Sequence, residues 1–411
     1  MKKKILWFTN TPSLYDKCKN GYNGGGWIES LEELIASETE IELAVSFFHP
    51  DNCFKIKRSR TSYYPISPKI SLTKRILNNI YYSKKDEIEI SYFLKVIDDF
   101  KPDVIHIFGT EKSFGLLANK TNVPIIIHIQ GILNPYLNAY FAPGTSKLDW
   151  ITHYFLKPLK ILNLLRGMSA FAHNTKREAV ILKNCKFFAG RTHWDHAVTS
   201  IYSSESKYFY CSEVLREVFY NSTPWTILKR DKIIISSTIS KTSYKGFDTI
   251  LKTAKLLKEY TSLNFVWDIY GIDEYREWEK KLNIKCKDNN IYFRGIVDSK
   301  SLLEGLLDSD LFIHPSYIDN SPNSVCEAQM IGLPVIATNV GGISSLIENG
   351  KTGYLVPAND PYSLVAKICE LINNKSKAIQ IGQTAREESL KRHNKGKIKA
   401  DLLDIYESIA K

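Results

Sequence analysis

Between residues 232 and 356, short runs rich in β-branched and aromatic side chains alternate with longer stretches whose apolar positions recur every three to four residues. Compact apolar runs read as strands and the 3.6-residue period reads as helix. The pattern predicts strands over 232–236, 265–270, 291–294, 311–314, 334–338 and 353–356. Helices are predicted near 247–260, 273–283, 299–308, 323–331 and 343–348. A repeating βα unit calls for a parallel sheet, with right-handed crossovers placing helices on both faces. From 362 to 411 only the helical period continues.

The front half follows the same grammar with longer insertions, and predicts strands over 5–8, 41–47, 104–108, 124–129 and 170–174. Tyr220-Asn-Ser-Thr-Pro-Trp225 interrupts the pattern with turn residues. The expected organisation is a Rossmann-like domain over 1–222 and a second over 223–390. Residues 391–411 are expected as a C-terminal helix packing back toward the first domain. Ligands of open α/β sheets bind beyond the carboxyl ends of the strands, so the expected active site is a cleft between two facing sheets.

With 411 residues and 44% hydrophobic composition, the chain can bury a full core. The first apolar run, Ile5-Leu6-Trp7-Phe8, is broken at once by Thr-Asn-Thr-Pro and is too short for a signal peptide. No run approaches the roughly 20 apolar residues of a membrane span. Cys18, Cys53, Cys185, Cys211, Cys286, Cys326 and Cys369 lie far apart and contain no C-x-x-C pair, so neither a disulfide frame nor a zinc site is indicated. A cytoplasmic location is the expectation.

The net charge of +11 is concentrated in the front half. Residues 51–85 hold Lys55, Lys57, Arg58, Arg60, Lys69, Lys74, Arg75, Lys84 and Lys85 against the single acid Asp51, interleaved with Tyr63, Tyr64, Tyr81 and Tyr82. Such a stretch is either a solvated loop or a surface for polyanions. No motif supports nucleic acid. In 73–85, Ile76, Leu77 and Ile80 fall near one helical face between basic ends, which suits peripheral contact with the inner face of an anionic membrane.

Residues 314 to 342 carry the chemistry. After the strand ending at His314 comes Pro-Ser-Tyr-Ile-Asp319-Asn320-Ser321-Pro-Asn323-Ser324-Val-Cys-Glu327. Ser321 reads as an N-cap and Pro322 as the first helical residue, so the free N–H groups of a helix form an anion site suited to a diphosphate. Glu327, about a turn and a half inside, can accept hydrogen bonds from vicinal hydroxyls such as those of a ribose. Asp319 can meet a sugar hydroxyl.

This stretch resembles the donor site of family 4 retaining glycosyltransferases of the GT-B fold, in which two acids separated by seven residues frame the site. Asp319 and Glu327 have that spacing. The usual first acid is Glu before a Gly-Phe-Gly-like loop; here it is Asp before Asn320-Ser-Pro-Asn-Ser324. Glu327-Ala-Gln-Met-Ile-Gly332-Leu-Pro, Gly341-Gly342, Glu348-Asn-Gly350 and Thr352-Gly353 keep the family pattern. Tyr244-Lys245-Gly246 resembles the family's lysine-glycine turn at the donor diphosphate. The Arg usual a few residues earlier is missing, with Lys241 as its nearest replacement. His128-Ile-Gln-Gly131 resembles the histidine beside the transferred sugar, and Gly190-Arg191 an element that places Arg191 near the diphosphate. Gly24-Gly25-Gly26-Trp27 resembles the loop facing donor phosphate and acceptor. Gly295, ending the 291–294 strand, joins the donor-binding set.

The resemblance implies GT-B architecture. It also implies transfer of a sugar from a nucleotide diphospho-sugar to a glycan or lipid-linked hydroxyl, with retention and without metal or other cofactor, as in surface polysaccharide synthesis. His128, Asp319 and Glu327 are the implied catalytic residues. Asp308-Ser-Asp310 is the one Asp-x-Asp; standing before a strand rather than after it, it reads as a helix-to-strand turn. An epimerase of the same architecture needs no acceptor, and a silent binding subunit has no reason to keep Lys245, Arg191 and Glu327 together.

Overall fold

The computed structural model describes residues 2–16, 26–50, 54–68 and 82–410. They form two compact units. One comprises Met1–Leu137, Leu162–Val214 and Asn394–Lys411; the other comprises Asn138–Ile161 and Leu215–His393.

In the first unit, β1 (Lys3–Phe8), β2 (Ile41–Phe48), β3 (Ile56–Arg58), β4 (Thr61–Ile66), β5 (Val104–Phe108), β6 (Ile125–His128), β7 (Phe187–Gly190) and β8 (Lys207–Tyr210) build one sheet in the order β3-β4-β2-β1-β5-β6-β7-β8. Only the β3–β4 pair is antiparallel. Strands buried on both faces carry continuous apolar runs, as in Ile5–Phe8 and Ile125–Ile127, whose side chains are nearly inaccessible. The second unit holds β9 (Ile233–Thr238), β10 (Phe265–Tyr270), β11 (Ile291–Gly295), β12 (Leu311–His314), β13 (Val335–Thr338) and β14 (Tyr354–Val356). They are all parallel, in the order β11-β10-β9-β12-β13-β14. Both orders reverse direction beside the first strand, at β1/β5 and at β9/β12. In open α/β sheets such a reversal is where ligands bind.

The last helix, Lys395–Ile409, belongs to the first unit. Its buried Tyr406 hydroxyl accepts from Trp7 Nε1 at 2.8 Å and lies 2.6 Å from His106 Nδ1. Lys399 adds an ion pair to Glu38 at 2.7 Å.

Three expectations need correction. Residues 170–174 are not a strand; they lie inside the 27-residue helix Pro158–Asn184. Buried Thr175, Glu178, Ile181 and Leu182 recur at helical spacing, and a five-residue stretch is too short to distinguish the two states. The helix expected near 343–348 is a single 3₁₀ turn, Ile343–Ser345. Third, the 51–85 stretch is not one solvated patch. All six residues of β4 are buried, so Tyr63 and Tyr64 are core, and the Tyr64 hydroxyl donates to Asp99 at 2.6 Å. Lys55 pairs with Asp99 at 2.8 Å, Arg60 donates to the Ser37 carbonyl at 3.0 Å, and Arg58 stacks on Tyr15 at 4.3 Å. Asp51, Lys69, Lys74, Arg75 and Tyr81 lie outside the described residues, as do Ile76, Leu77 and Ile80.

Candidate active site

The loops following β9 and β12 meet at the switch point of the second sheet. The first carries Lys245, held in place by Gly246, whose φ of 71° begins the Phe247–Tyr260 helix. A Cβ on Gly246 would lie 2.0 Å from the Pro315 carbonyl oxygen, so only glycine lets the Lys245 turn approach the β12 loop this closely. The second loop carries Asp319, 6% exposed. Its Oδ2 lies 2.5 Å from Lys245 Nζ, 3.0 Å from His314 Nε2 and 3.4 Å from the Ser316 hydroxyl, while the Asn320 N–H donates to Oδ1 at 3.1 Å. Gly341 closes the other side; a Cβ there would lie 1.9 Å from the Asp319 carbonyl oxygen, which instead accepts from Gly342 N–H at 3.0 Å.

Burial alone would raise the Asp319 carboxyl, but the Lys245 charge and the His314 hydrogen bond outweigh it and hold the group well below the usual carboxylate range. Burial pushes His314 down, with Lys245 adding to this and Asp319 opposing it. Asp319 is therefore an ionised, enclosed anchor for Lys245 rather than a side chain presented to a sugar.

The helix after this loop is Asn323–Ile331, one residue shorter at its start than Ser321 and Pro322 predict. Pro322, at ψ 121°, is its extended N-cap residue and gives no side-chain cap. Asn323 and Ser324 open the helix half-buried, while Asn320 and Ser321 are buried before it. Glu327 is thus the fifth helical residue. Its carboxylate is gripped by Arg216, with Nε donating to Oε1 and Nη2 to Oε2, both at 2.7 Å. Burial raises Glu327, and Arg216 opposes that rise. No sequence motif marks Arg216; it lies before the short Glu217–Tyr220 helix and is far from Glu327 along the chain. His314 was in view as a strand end, and its role follows only from its distance to Asp319.

In the first unit, β5, the end of β6, the Gly26–Ala36 helix and the residue after β7 contribute to a second cluster. His128 closes β6, buried, with its ring 5.5 Å from that of His106 and nearly parallel to it. Trp27 packs edge-on against His128 at 5.6 Å, and Arg191 lies 5.4 Å above the Trp27 ring. Trp27 is the second residue of the Gly26–Ala36 helix and is 4% exposed, so it is a wall of the cluster and not part of an open loop. Gly24 and Gly25 lie outside the described residues. Arg191 is ion-paired to the fully buried Glu213, a partner with no sequence signal. Burial, then the charge of Arg191, pushes His128 down to about 3 against a small opposing effect of the Cys211 backbone, so the imidazole is neutral at physiological pH.

Gly295 ends β11 with φ 72°, at the sheet edge two strands from the switch point, and its carbonyl accepts from Gly271 N–H at 2.8 Å. Lys241 is exposed. Asp308 and Asp310 flank a helix-to-strand turn and share Arg230, at 2.7 and 2.9 Å.

Residues 224–388 match the family described as Glycosyl transferases group 1. The chain carries a glycosyl transferases group 1 domain. That group 1 domain contains Lys245, Asp319 and Glu327. A segment of 179 residues, 41% of the chain, is 28% identical to the putative colanic acid biosynthesis glycosyltransferase WcaL of Salmonella typhimurium and spans 43% of that relative's length. Among solved structures, the sucrose-phosphate synthase of Thermosynechococcus elongatus superposes with a TM-score of 0.74 at 14% identity, covering 99% of both chains. Anabaena Alr3699/HepE, solved with UDP and glucose, gives 0.65 at 14% identity, over 99% of this chain and all of that one. At these identities the likeness is one of fold: the group 1 domain is the second Rossmann-like unit of a GT-B architecture.

Proposed function

We propose that the protein transfers a sugar from a nucleoside diphosphate sugar to a hydroxyl of a glycan or lipid-linked acceptor, with retention of anomeric configuration. The observation that carries this reading is the meeting of Lys245 with the buried Asp319 at the β9/β12 switch point, beside the start of the Asn323–Ile331 helix. Departure of a nucleoside diphosphate concentrates negative charge on its phosphates, and fixed positive potential aimed there lowers the barrier. Lys245 and the helix N-terminus supply that potential, and Asp319 holds the ammonium in place. A carboxylate offers about four lone pairs, of which Arg216 uses two on Glu327, leaving acceptors for vicinal ribose hydroxyls. In the first unit, we assign Trp27, His128 and Arg191 to the transferred sugar and acceptor; a neutral His128 orients hydroxyls and takes no proton from them. The domain match supports sugar transfer, and the UDP complex of the Anabaena neighbour makes a uridine nucleotide the first donor to try. Front-face attack, with a donor phosphate oxygen helping to deprotonate the acceptor, accounts for retention.

The test is thermal stabilisation across a panel of nucleoside diphosphate sugars, followed by product analysis with the sugar that stabilises. Lys245→Ala is expected to lower kcat by about 10²–10³-fold. A protein that no nucleotide sugar stabilises, or full turnover in that variant, overturns the reading.

A further inference from the structure

The turn between the Lys147–His153 and Pro158–Asn184 helices exposes Phe155, Leu156 and Leu159 at 77, 88 and 75%. Leu148 on the first helix and Leu162 on the second add to them, and no residue of the second helix before Thr175 is buried. Water-exposed apolar side chains in a row are costly unless something covers them. Their base is firmly seated. Trp150 is buried edge-on against Trp278 at 5.2 Å, Lys281 lies over the same ring, and Lys160 pairs with Glu277 at 2.6 Å. Ser146 and Asp149 close a capping box at the start of the first helix.

Residues 147–166 carry Lys147, Lys157, Lys160 and Arg166 against Asp149 alone, in a chain of net charge +11. Lys147, Lys157 and Arg166 make no ion pair among the described residues. Exposed apolar side chains interspersed along the chain with cations suit a fluid surface that needs no shape match, with acyl chains below and anionic headgroups above. No helix among the described residues is long and apolar enough to cross a membrane.

We infer that Phe155, Leu156 and Leu159 insert into the interface of an anionic lipid bilayer, with Lys157 and its basic neighbours on the headgroups. The inference draws on none of residues 51–85, and it does not depend on the sugar-transfer reading, because docking is measured without donor or acceptor.

The experiment is co-sedimentation of the full chain with vesicles of phosphatidylcholine, with and without about 30% phosphatidylglycerol, at low and high salt. The wild-type protein is expected to sediment with the anionic vesicles and to lose most of that binding in high salt. Phe155→Ser/Leu156→Ser/Leu159→Ser is expected to partition at least about tenfold less, and Lys157→Glu to weaken binding at low salt. If the triple variant melts at a lower temperature, Leu156→Ser, the least enclosed position, decides by the same comparison. Failure of the wild type to sediment overturns the inference. So does equal sedimentation with neutral vesicles, or wild-type binding by the serine variants. Self-association that the serine substitutions abolish while vesicle binding persists overturns it in favour of a second copy of the chain.

Discussion

Arg216 and Glu327 face each other through two parallel hydrogen bonds of 2.7 Å, with only 15% and 4% of their side chains exposed. Removing one partner leaves the other charge enclosed and uncompensated. Arg216→Met and Glu327→Met are each expected to cost about 3–5 kcal/mol in urea unfolding. The double variant Arg216→Met/Glu327→Met should cost less than either single change, because no charge is left behind. A cycle in which the two losses simply add would show that the pair is not coupled. Glu327→Ala should also abolish turnover, and stability must be measured beside activity to separate the two effects.

Asp319 titrates below its unfolded value of about 3.9 because Lys245 and His314 outweigh its burial. A depressed carboxyl contributes stability that is present above the unfolded pKa and lost as pH falls through the folded one. The wild type should therefore weaken progressively below about pH 4. Asp319→Asn should flatten this acid limb, lower stability at pH 7 and weaken nucleotide binding through loss of the Lys245 anchor. Unfolding free energies between about pH 2.5 and 7 measure the first two effects, and titration calorimetry the third. An unchanged acid limb in the variant would remove Asp319 from this role.

His128 is held neutral, at about 3. Its contribution to stability is complete above the unfolded value of about 6.5 and declines as pH falls toward the folded one. NMR of the ring should show no titration between pH 5 and 8. His128→Gln should reduce kcat by about 10²-fold through misplaced substrate, without moving the pH optimum. A ring that titrates near pH 6.5 contradicts the assignment.

Gly246→Ala tests the meeting of the two loops. The left-handed φ and the Pro315 carbonyl oxygen 2.0 Å from the added carbon require the Lys245 turn to move. The expected result is a loss of about 1–3 kcal/mol and weaker nucleotide binding, read by thermal melting with and without UDP. Unimpaired binding would show that the turn is not fixed by this contact.

The second sheet was legible because each of its strands is a compact apolar run between helices of clear period. Residues 170–174 misled because Ala-Phe-Ala-His-Asn has no period of its own; the helix is set by Thr175, Glu178 and Ile181, which pack beyond it. The two-acid spacing pointed to Asp319 and Glu327 and the lysine-glycine turn to Lys245, yet neither could give their partners. Arg216 and Glu213 reach the clusters from parts of the chain that share no motif with them, and the cost of burying a charge becomes visible only when its neighbours are known. Pro322 misled in the opposite sense: the residue type suits a first helical turn, but here its extended ψ keeps it outside.

The Tyr406 contact with Trp7 and His106 makes the first unit a structure whose parts are synthesised far apart in time. Residues 215–393 leave the ribosome before the helix that completes the earlier unit. At about 5–20 residues per second that delay is on the order of 10–40 s. During it the indole N–H of Trp7 and the ring of His106 wait for their hydroxyl partner, so the group 1 domain is expected to reach its native state first although it comes second in the chain.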